Sequence, residues 1–375
     1  MALLSRRTLA AALFGVAAAA GPLAAQTSVS GVGYAQWQYL LAKDTITADS
    51  NLPHINNFSI TRAYINVNGK LAGGVATRVT ADIYNAGVTG GSFTYRIKYA
   101  YVAWTPEGSA LTYKIGEIHT PWIDWEEALW DYRMQGTMPM ERNGYMSSSD
   151  FGAGIDGKFN SDQFNFQAGV YNGNNYSGAS SDGHKDFMAR ASYRLLATDD
   201  GSRVGGLRLT AYAGIGAPNS GGTRNRFMGM LSYRTMDLTL AAEYAATEDT
   251  TIGGNTTIGG GAAAAVAKKK GTVLSAFGVF HFPQTRFSVL GRVDITNPNT
   301  SPAGTGPSDS LRSVANTPKT TRVIAGISYQ LSPNVRLLAD VDLLSYESAY
   351  AINTLARYQA YAARQSAFFV TQFTF

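Results

Sequence analysis

The chain has 375 residues, no cysteine, 40 glycines and a formal net charge of +5. Without cysteine it cannot be a disulfide-stapled exported scaffold. Its basic excess is too small and too scattered to indicate a nucleic-acid partner. Beyond the N-terminus, no stretch approaches the ~18 consecutive apolar residues of a membrane helix. A hydropathy scan alone would therefore suggest a soluble exported protein, but it does not detect the closed β-barrel, the other structure that spans lipid.

The N-terminus, residues 1–25, has the layout of a secretory signal peptide. Arg6 and Arg7 precede an apolar stretch at residues 9–20, which a small-residue cleavage site follows. The apolar stretch is too short for a stable membrane span, and the alternative is an N-terminal core helix. We expect Sec export and a mature single domain, residues 26–375, whose charge falls to about +3 when the two arginines are removed.

Most of the mature sequence alternates with a period of two, which predicts strands with two different faces. In residues 74–85 one parity carries Val75, Val79 and Ile83, while the other carries Arg78. The same pattern recurs in residues 93–101, 187–195, 207–213, 287–295 and 335–343. These strands are about 8–14 residues long, and a tilted strand needs ~9–11 residues to cross the hydrocarbon layer. Rings near strand ends, which a membrane interface favours, are those of Trp37, Tyr39, Trp104, Tyr171, Tyr244, Phe280 and Phe282.

The connections between about sixteen strands alternate between tight and long, as in bacterial outer-membrane barrels. Tight links follow even-numbered strands, at residues 72–74, 106–109, 161–163, 235–237, 283–285 and 332–334. Long polar links mostly follow odd-numbered strands, at residues 42–57, 118–149, 172–185, 248–271, 297–319 and 347–361. The sequence therefore predicts an all-β fold, a transmembrane antiparallel up-and-down β-barrel in the lipid of a Gram-negative outer membrane, with both termini in the periplasm.

The C-terminal residues read as a strand rather than as a frayed tail. Phe369, Phe373 and Phe375 share one parity, which we expect to face lipid. In a closed barrel the last strand pairs with the first, so it cannot fray. The terminal Phe375 resembles the C-terminal signal that the outer-membrane barrel assembly machinery reads. The alternative for this segment alone is the buried final strand of a soluble sandwich.

Three segments carry a family resemblance. FSITRAY at 58–64 with GKL at 69–71, LTYKIGEIHTP at 111–121 and MER at 140–142 are similar to segments of the phosphate-selective porin O and P family. They resemble its opening strand, the strand leading into its constriction loop, and the far side of that loop. The resemblance covers mainly residues 55–160, and it implies a sixteen-stranded barrel, usually trimeric, with loop 3 folded into the lumen.

One departure from the family pattern concerns selectivity. Phosphate-selective members line the channel with many basic residues and carry arginines in the constriction. In this chain Arg62 is the one arginine of the first motif. We therefore expect a passive diffusion channel for small hydrophilic solutes that prefers anions, with phosphate left open as a solute.

The long link at residues 118–149 predicts a short helix. Asp124 and Glu127 have the spacing of a capping box, and Trp125, Leu129 and Tyr132 share one helical face. We expect this face to pack on the barrel wall, and we expect Glu126, Glu127 and Asp131 to be exposed to the pore. The alternative is a helix that lies at the mouth or at a subunit interface, where its acidic side chains are simply solvated. The candidate constriction residues are Trp122, Asp124, Trp125, Glu126, Glu127, Asp131, Arg133, Glu141 and Arg142.

Basic residues concentrate on the other parity of the strands. An arginine or lysine on the lipid face would cost about 2–4 kcal/mol near the bilayer midplane, so this parity is assigned to the lumen. The candidate pore-lining residues are Arg62, Arg78, Arg96, Lys98, Lys114, Arg190, Arg194, Arg208, Arg292, Arg322 and Arg336. Acids on that parity are fewer, so the collective field favours anions. Any single arginine could instead be a salt-bridged wall residue.

Two rival functions remain open from the sequence. A barrel hydrolase would need a reactive histidine, and the chain has four, His54, His119, His184 and His281. The sequence contains neither a G-x-S-x-G nor an H-E-x-x-H motif. A non-conducting barrel acting in adhesion would have a plugged lumen, which a polar inner face disfavours. We expect no enzyme activity, cofactor or metal.

The low-complexity tract at residues 259–270 predicts a flexible external loop.

Overall fold

The computed structural model describes residues 26–41, 56–85, 93–176, 183–217, 222–252, 266–298, 300, 319–346 and 365–375. The predicted signal peptide, residues 1–25, lies outside the described residues. So do His54 and the glycine-rich residues 253–265, and predictions made for them stay predictions.

Sixteen antiparallel strands form one closed barrel, which confirms the predicted fold class. They are β1 (Gln26–Leu40), β2 (Asn56–Lys70), β3 (Val75–Asn85), β4 (Phe93–Trp104), β5 (Leu111–His119), β6 (Ser149–Phe159), β7 (Phe164–Tyr171), β8 (Asp186–Leu196), β9 (Gly206–Gly216), β10 (Gly222–Arg234), β11 (Leu238–Ile252), β12 (Val266–His281), β13 (Phe287–Asn297), β14 (Thr320–Ser332), β15 (Val335–Tyr346) and β16 (Gln365–Thr374). Each strand pairs with its neighbours in the chain, and β1 also pairs with β16. Within the described part of the chain, no helix has the length and apolar character that a membrane crossing requires.

The alternation of residues separates two faces of the wall. In β8, Phe187 is 60% exposed and Tyr193 is also exposed, whereas Arg190 and Ser192 are buried. Because successive side chains of a strand point to opposite faces, the apolar parity lies outside and the polar parity lies inside. By this pattern Arg190 belongs to the inner parity of β8.

The link from β5 to β6, residues 120–148, contains helices α1 (Pro121–Leu129) and α2 (Pro139–Arg142). It is the longest link within the described residues, and we call it the β5–β6 segment. Several opposite links are tight, including the 3-10 turn Ala72–Gly74 between β2 and β3. The predicted asymmetry between long and short connections is therefore present.

Strands β11 and β12 extend further than the sequence pattern indicated. Glu248 pairs with Lys270, and the ladder continues to Ile252 and Val266. The prediction that Lys268–Lys270 belong to a flexible loop was therefore wrong. Backbone pairing continues beyond the apolar part of the strands, and Lys270 lies 3.8 Å from the Glu248 carboxylate.

The seam between the first and last strands depends on two glycines. Phe373 pairs with Gly33, and Phe375 exchanges backbone hydrogen bonds with Gly31. A Cβ at either glycine would come within 2.2 Å of a ring carbon of the facing phenylalanine. The rings of Phe373 and Phe375 therefore cover the bare backbone of β1, and the exposed aromatic end of the chain is part of barrel closure.

Candidate functional site

Helix α1 begins where Pro121 supplies a first helical residue with a preset φ angle. Its N-cap is Thr120, so the predicted capping box at Asp124 and Glu127 was wrong. Asp124 lies in the first turn, where the helix dipole stabilises a carboxylate. Its Oδ2 also accepts a hydrogen bond of 2.6 Å from Arg203, which follows β8. Burial raises the pKa of Asp124, but the Arg203 guanidinium outweighs this effect and holds the pKa below its usual range.

The β5–β6 segment packs its aromatic face against side chains of several strands. Its side chains with 0% exposure include Trp122, Ile123, Trp125, Leu129, Trp130 and Tyr132. The Trp122 ring centroid lies 5.8 Å from that of Tyr212 in β9, and Trp130 lies 5.3 Å from Phe277 in β12. Methionines of the segment, Tyr34 of β1 and apolar residues of β9 to β16 complete one hydrophobic cluster.

Polar contacts attach the same segment to several strands. Arg234 in β10 donates to Asp131 Oδ2 at 3.1 Å, and Tyr132 Oη lies 2.5 Å from Ser328 Oγ in β14. Arg142 donates to Asp342 in β15 at 3.2 Å. Together with the aromatic cluster, these contacts join the segment to strands β10, β14 and β15.

Three predicted pore-lining arginines lie beneath this segment. Arg190 and Arg208 are buried, with their guanidinium carbons 4.3 Å and 5.8 Å from the Trp125 ring centroid. Arg292 is also buried, and it donates to the Thr137 carbonyl at 3.0 Å. Placing these three residues along an open channel was wrong, because the β5–β6 segment covers them.

Other predicted basic residues have partners near strand ends. Arg322 pairs with Asp342, Lys114 with Asp156, and Arg194 donates to the Ser161 carbonyl. Arg336 donates to the backbone carbonyl of Asp131 at 3.1 Å. These residues stay candidates for the pore lining, with most of their charge engaged by the protein.

Glu126 is not exposed to the pore, contrary to the prediction. It is fully buried beside Glu243 of β11 and the indole of Trp122. Burial, together with the neighbouring Glu243, raises the pKa of Glu126 well above its ordinary value of 4.5. The position of Glu126 on the helix predicted an exposed acid, but in the structure the face of α1 that carries Glu126 packs against the barrel wall.

Arg62, Arg78, Arg96 and Lys98 lie together on strands β2 to β4, and we call them the cationic wall. Arg62 and Arg96 both approach Asp82 Oδ2, at 3.6 Å and 3.0 Å. Lys98 is 1% exposed and donates to Tyr64 Oη at 2.8 Å. Among the described residues, no carboxylate forms an ion pair with Lys98.

Tyrosines interleave the cationic wall, and the sequence reasoning missed them. Arg62 stacks on Tyr64, Arg78 on Tyr99, and Arg96 on Tyr176, with distances to the ring centroids of 5.2, 4.6 and 4.4 Å. Arg62 and Tyr64 are two residues apart on one strand, so the sequence could have indicated that their side chains share a face. Tyr176 follows β7, and nothing in the period-two pattern connects it with β4.

The β5–β6 segment presents Glu127, Arg133 and Glu141 as a second charged group. Arg133 donates to Glu127 at 2.6 Å and to Glu141 at 2.8 Å. Burial raises the pKa of Glu127, while the positive charges of Arg133 and Lys98 lower it and prevail. Lys98 is therefore close enough to act on Glu127, so this group faces the cationic wall.

A cavity of about 810 Å³ lies beside these groups. Glu141, Tyr145, Tyr176, Arg224 and Arg226 are among its lining residues. Arg224 pairs with Asp186 at 2.9 Å and Arg226 with Asp249 at 2.8 Å. Its lining combines these charged side chains with the rings of Tyr145, Tyr176 and Tyr212 and with apolar surface.

His281, the histidine that would support a hydrolase, lies between two polar groups. Its Nδ1 is 2.7 Å from Ser288 Oγ, and its Nε2 is 3.8 Å from Asp131 Oδ2. The second distance exceeds that of a hydrogen bond, and Asp131 is already held by Arg234.

The closed barrel of sixteen strands, with an apolar outer face and a polar inner face, is that of an outer-membrane β-barrel porin. A sequence profile of the phosphate-selective porin O and P family matches residues 36–279, more than half of the chain. The chain belongs to this family. Its members are non-enzymatic channels, so the protein is a porin of the outer membrane and not a barrel hydrolase.

Solved porin structures share the fold at low sequence identity. The anion-selective porin from Comamonas acidovorans is 12% identical, with a TM-score of 0.60, and the alignment covers 94% of this chain and 100% of that one. OmpF of Salmonella typhi in complex with daunomycin is 13% identical, with a TM-score of 0.60 and coverages of 93% and 97%. The trimer form of OmpT from Vibrio cholerae is 11% identical, with a TM-score of 0.55 and coverages of 94% and 100%. No curated protein sequence matches this chain.

Proposed function

We propose that this porin is a passive diffusion channel that prefers anions, with the β5–β6 segment folded into the lumen as its constriction loop. The observation that carries the proposal is the charge on two facing surfaces. The cationic wall has four positive charges against the carboxylate of Asp82, a net charge of +3. The facing group has Arg133 against Glu127 and Glu141, a net charge of −1. Their sum is +2.

The contacts of the segment support the inward fold. Its aromatic cluster and ion pairs attach it to side chains of β9 to β16 and to Tyr34 of β1, while Glu127 interacts electrostatically with Lys98 of β4. The passage would then run between the segment and strands β2 to β4. In a narrow channel with low-dielectric walls, a net positive lining concentrates anions and repels cations.

An anion-preferring porin implies three kinds of partner: solutes, other subunits and the machinery that inserts it. Its solutes are small anionic or polar molecules, and phosphate stays a candidate. A homotrimer is supported by the trimer form recorded for OmpT of Vibrio cholerae. Phe375 is the expected contact for the barrel assembly machinery, and its side chain is 63% exposed.

The test is the reversal potential of single channels of mature protein in a planar bilayer with a potassium chloride gradient. We expect a potential that favours chloride. Lys98→Gln, which removes a buried wall cation that pairs with no carboxylate among the described residues, should reduce the anion-to-cation permeability ratio by roughly twofold or more.

Arg286→Gln is the matched control, because it removes the same charge from an exposed tight turn between β12 and β13. It should leave the ratio unchanged. A cation-favouring potential in the wild-type channel would contradict the proposal, and folded, inserted protein without conductance would instead favour the adhesion alternative.

A further inference from the structure

Resting on the anion preference proposed above, we propose that the cationic wall with its tyrosines is a binding subsite for aromatic carboxylates, which it prefers to inorganic phosphate. The inference concerns the kind of anion and not the sign of its charge. It depends on three features of strands β2 to β4: the alternation of cations and rings, the state of Lys98, and the neighbouring cavity.

Cations and tyrosine rings alternate along this wall. Besides the three stacked arginines, the Lys98 ammonium lies between the rings of Tyr64, Tyr99 and Tyr176, at 5.1, 5.6 and 5.7 Å from their centroids. His119 continues the aromatic surface, with its ring 4.0 Å from that of Tyr99. Any anion that reaches these cations therefore also meets ring faces and edges.

Lys98 supplies the charge that a carboxylate would neutralise. Its ammonium has three donors, and Tyr64 Oη accepts one of them. A buried cation is costly unless it is paired, and among the described residues only carboxylates beyond ion-pair distance act on it. A bound carboxylate would supply that pairing, with Arg62 as a second donor at the edge of the wall.

Phosphate suits this surface less well than an aromatic carboxylate does. A phosphate ion carries oxygens on every side and is held best where donors surround it. Here Arg62 and Arg96 already share one oxygen of Asp82, and rings occupy much of the space between the cations. An aromatic carboxylate can direct its charged end to the cations and its body to the rings, where each ring contact contributes roughly a two- to tenfold gain in affinity.

The subsite is within reach of a solute. The side chains of Arg62 and Arg96 are 15% and 21% exposed, although Lys98 is covered. Tyr176, which contacts Arg96 and Lys98, also lines the cavity of about 810 Å³. A cavity of that size accommodates a small organic anion, and Tyr176 is its boundary with the cationic wall.

The experiment measures block of the chloride current through the wild-type channel by four anions. Benzoate has an aromatic ring, and cyclohexanecarboxylate has a saturated apolar ring. Acetate has a single methyl group, and inorganic phosphate has no apolar part. We expect half-block by benzoate at a concentration at least about fivefold lower than by acetate or phosphate. Equal block by cyclohexanecarboxylate and benzoate would overturn the aromatic part of the inference, and stronger block by phosphate would overturn all of it.

Tyr176→Ser then tests the location of the subsite. It removes one ring from a connecting segment rather than from a strand, and it should abolish most of the preference for benzoate. Tyr145→Ser is the matched control, because it removes a ring of the same cavity that contacts Arg226 instead of the cationic wall.

An equal loss of benzoate preference in both tyrosine variants would place the binding elsewhere in the cavity and overturn the subsite. An anion-favouring reversal potential without benzoate preference would refute this inference alone. A cation-favouring potential would refute the proposed function and the inference together.

Discussion

Glu126 and Glu243 form a buried carboxyl pair where helix α1 meets strand β11. Two adjacent carboxylates in a low-dielectric site cannot both ionise easily, so they retain a proton between them. Trp122 lies beside the pair, Arg292 acts on both acids with its positive charge, and Asp294 adds negative charge near Glu243. The arrangement makes the attachment of α1 to the wall sensitive to pH.

The direction of that sensitivity follows from the raised pKa of Glu126. The unfolded chain releases this proton near the ordinary value of 4.5, whereas the folded protein keeps it to higher pH. The folded state therefore binds more protons in between, and the stabilising contribution of the pair, complete at acidic pH, declines as the pH rises.

Glu126→Gln should remove this pH dependence and raise the unfolding temperature relative to wild type at alkaline pH. The amide has nearly the shape of the protonated acid and cannot ionise. The measurement is the unfolding midpoint in detergent between about pH 5 and pH 9. Glu107→Gln, in an exposed turn, is the control and should follow wild type. Parallel pH profiles for Glu126→Gln and wild type would refute the shared proton.

The pairing of β1 with β16 shows how one element depends on side chains of another. Gly33 leaves room for the Phe373 ring, and a Cβ there would come within 2.2 Å of a ring carbon. Gly33→Val should therefore displace the ring and lower the stability of the closed barrel by about 1–3 kcal/mol. Urea unfolding of the refolded protein in lipid vesicles, with folding assessed by heat-modifiable gel mobility, measures the change.

Gly229→Val is the control for this substitution. Gly229 is exposed in β10, and its nearest neighbour to a new Cβ is the Thr210 carbonyl oxygen at 4.0 Å. The added valine should fit there and favour the strand. If both variants refold and unfold alike, the Phe373 ring has no role in barrel closure.

At the scale of the whole molecule, the sequence pattern predicted the barrel but not the arrangement of its interior. Parity assigns Arg62 and Arg208 to the same face of the wall. It carries no information on distance across the barrel, so it could not show that Trp125 covers Arg208 while Arg62 remains partly exposed. For the same reason, the burial of Glu126 and the position of Tyr176 emerge only from contacts between residues far apart in the chain.

These contacts also change the electrostatic argument. The count of basic residues on the inner parity overstates the charge that a solute meets, because Arg190, Arg208 and Arg292 lie beneath the β5–β6 segment. The remaining surplus of positive charge is smaller, and it lies on the cationic wall. Selectivity therefore depends on the segment keeping its place, and that place depends mainly on its buried aromatic side chains.

Trp130→Ala should loosen the segment and enlarge the channel. Trp130 is fully buried against Phe277 and Tyr132, and removing such a side chain costs about 3–5 kcal/mol of packing. We expect folded barrels with a higher and noisier single-channel conductance and a weaker preference for chloride, since the segment would no longer hold Glu127 and Arg133 near the cationic wall. Trp104→Ala, on the exposed outer face of β4, is the matched control and should conduct like wild type. A folded Trp130→Ala channel with unchanged conductance would show that the β5–β6 segment does not set the width of the passage, and the constriction proposal would fall with it.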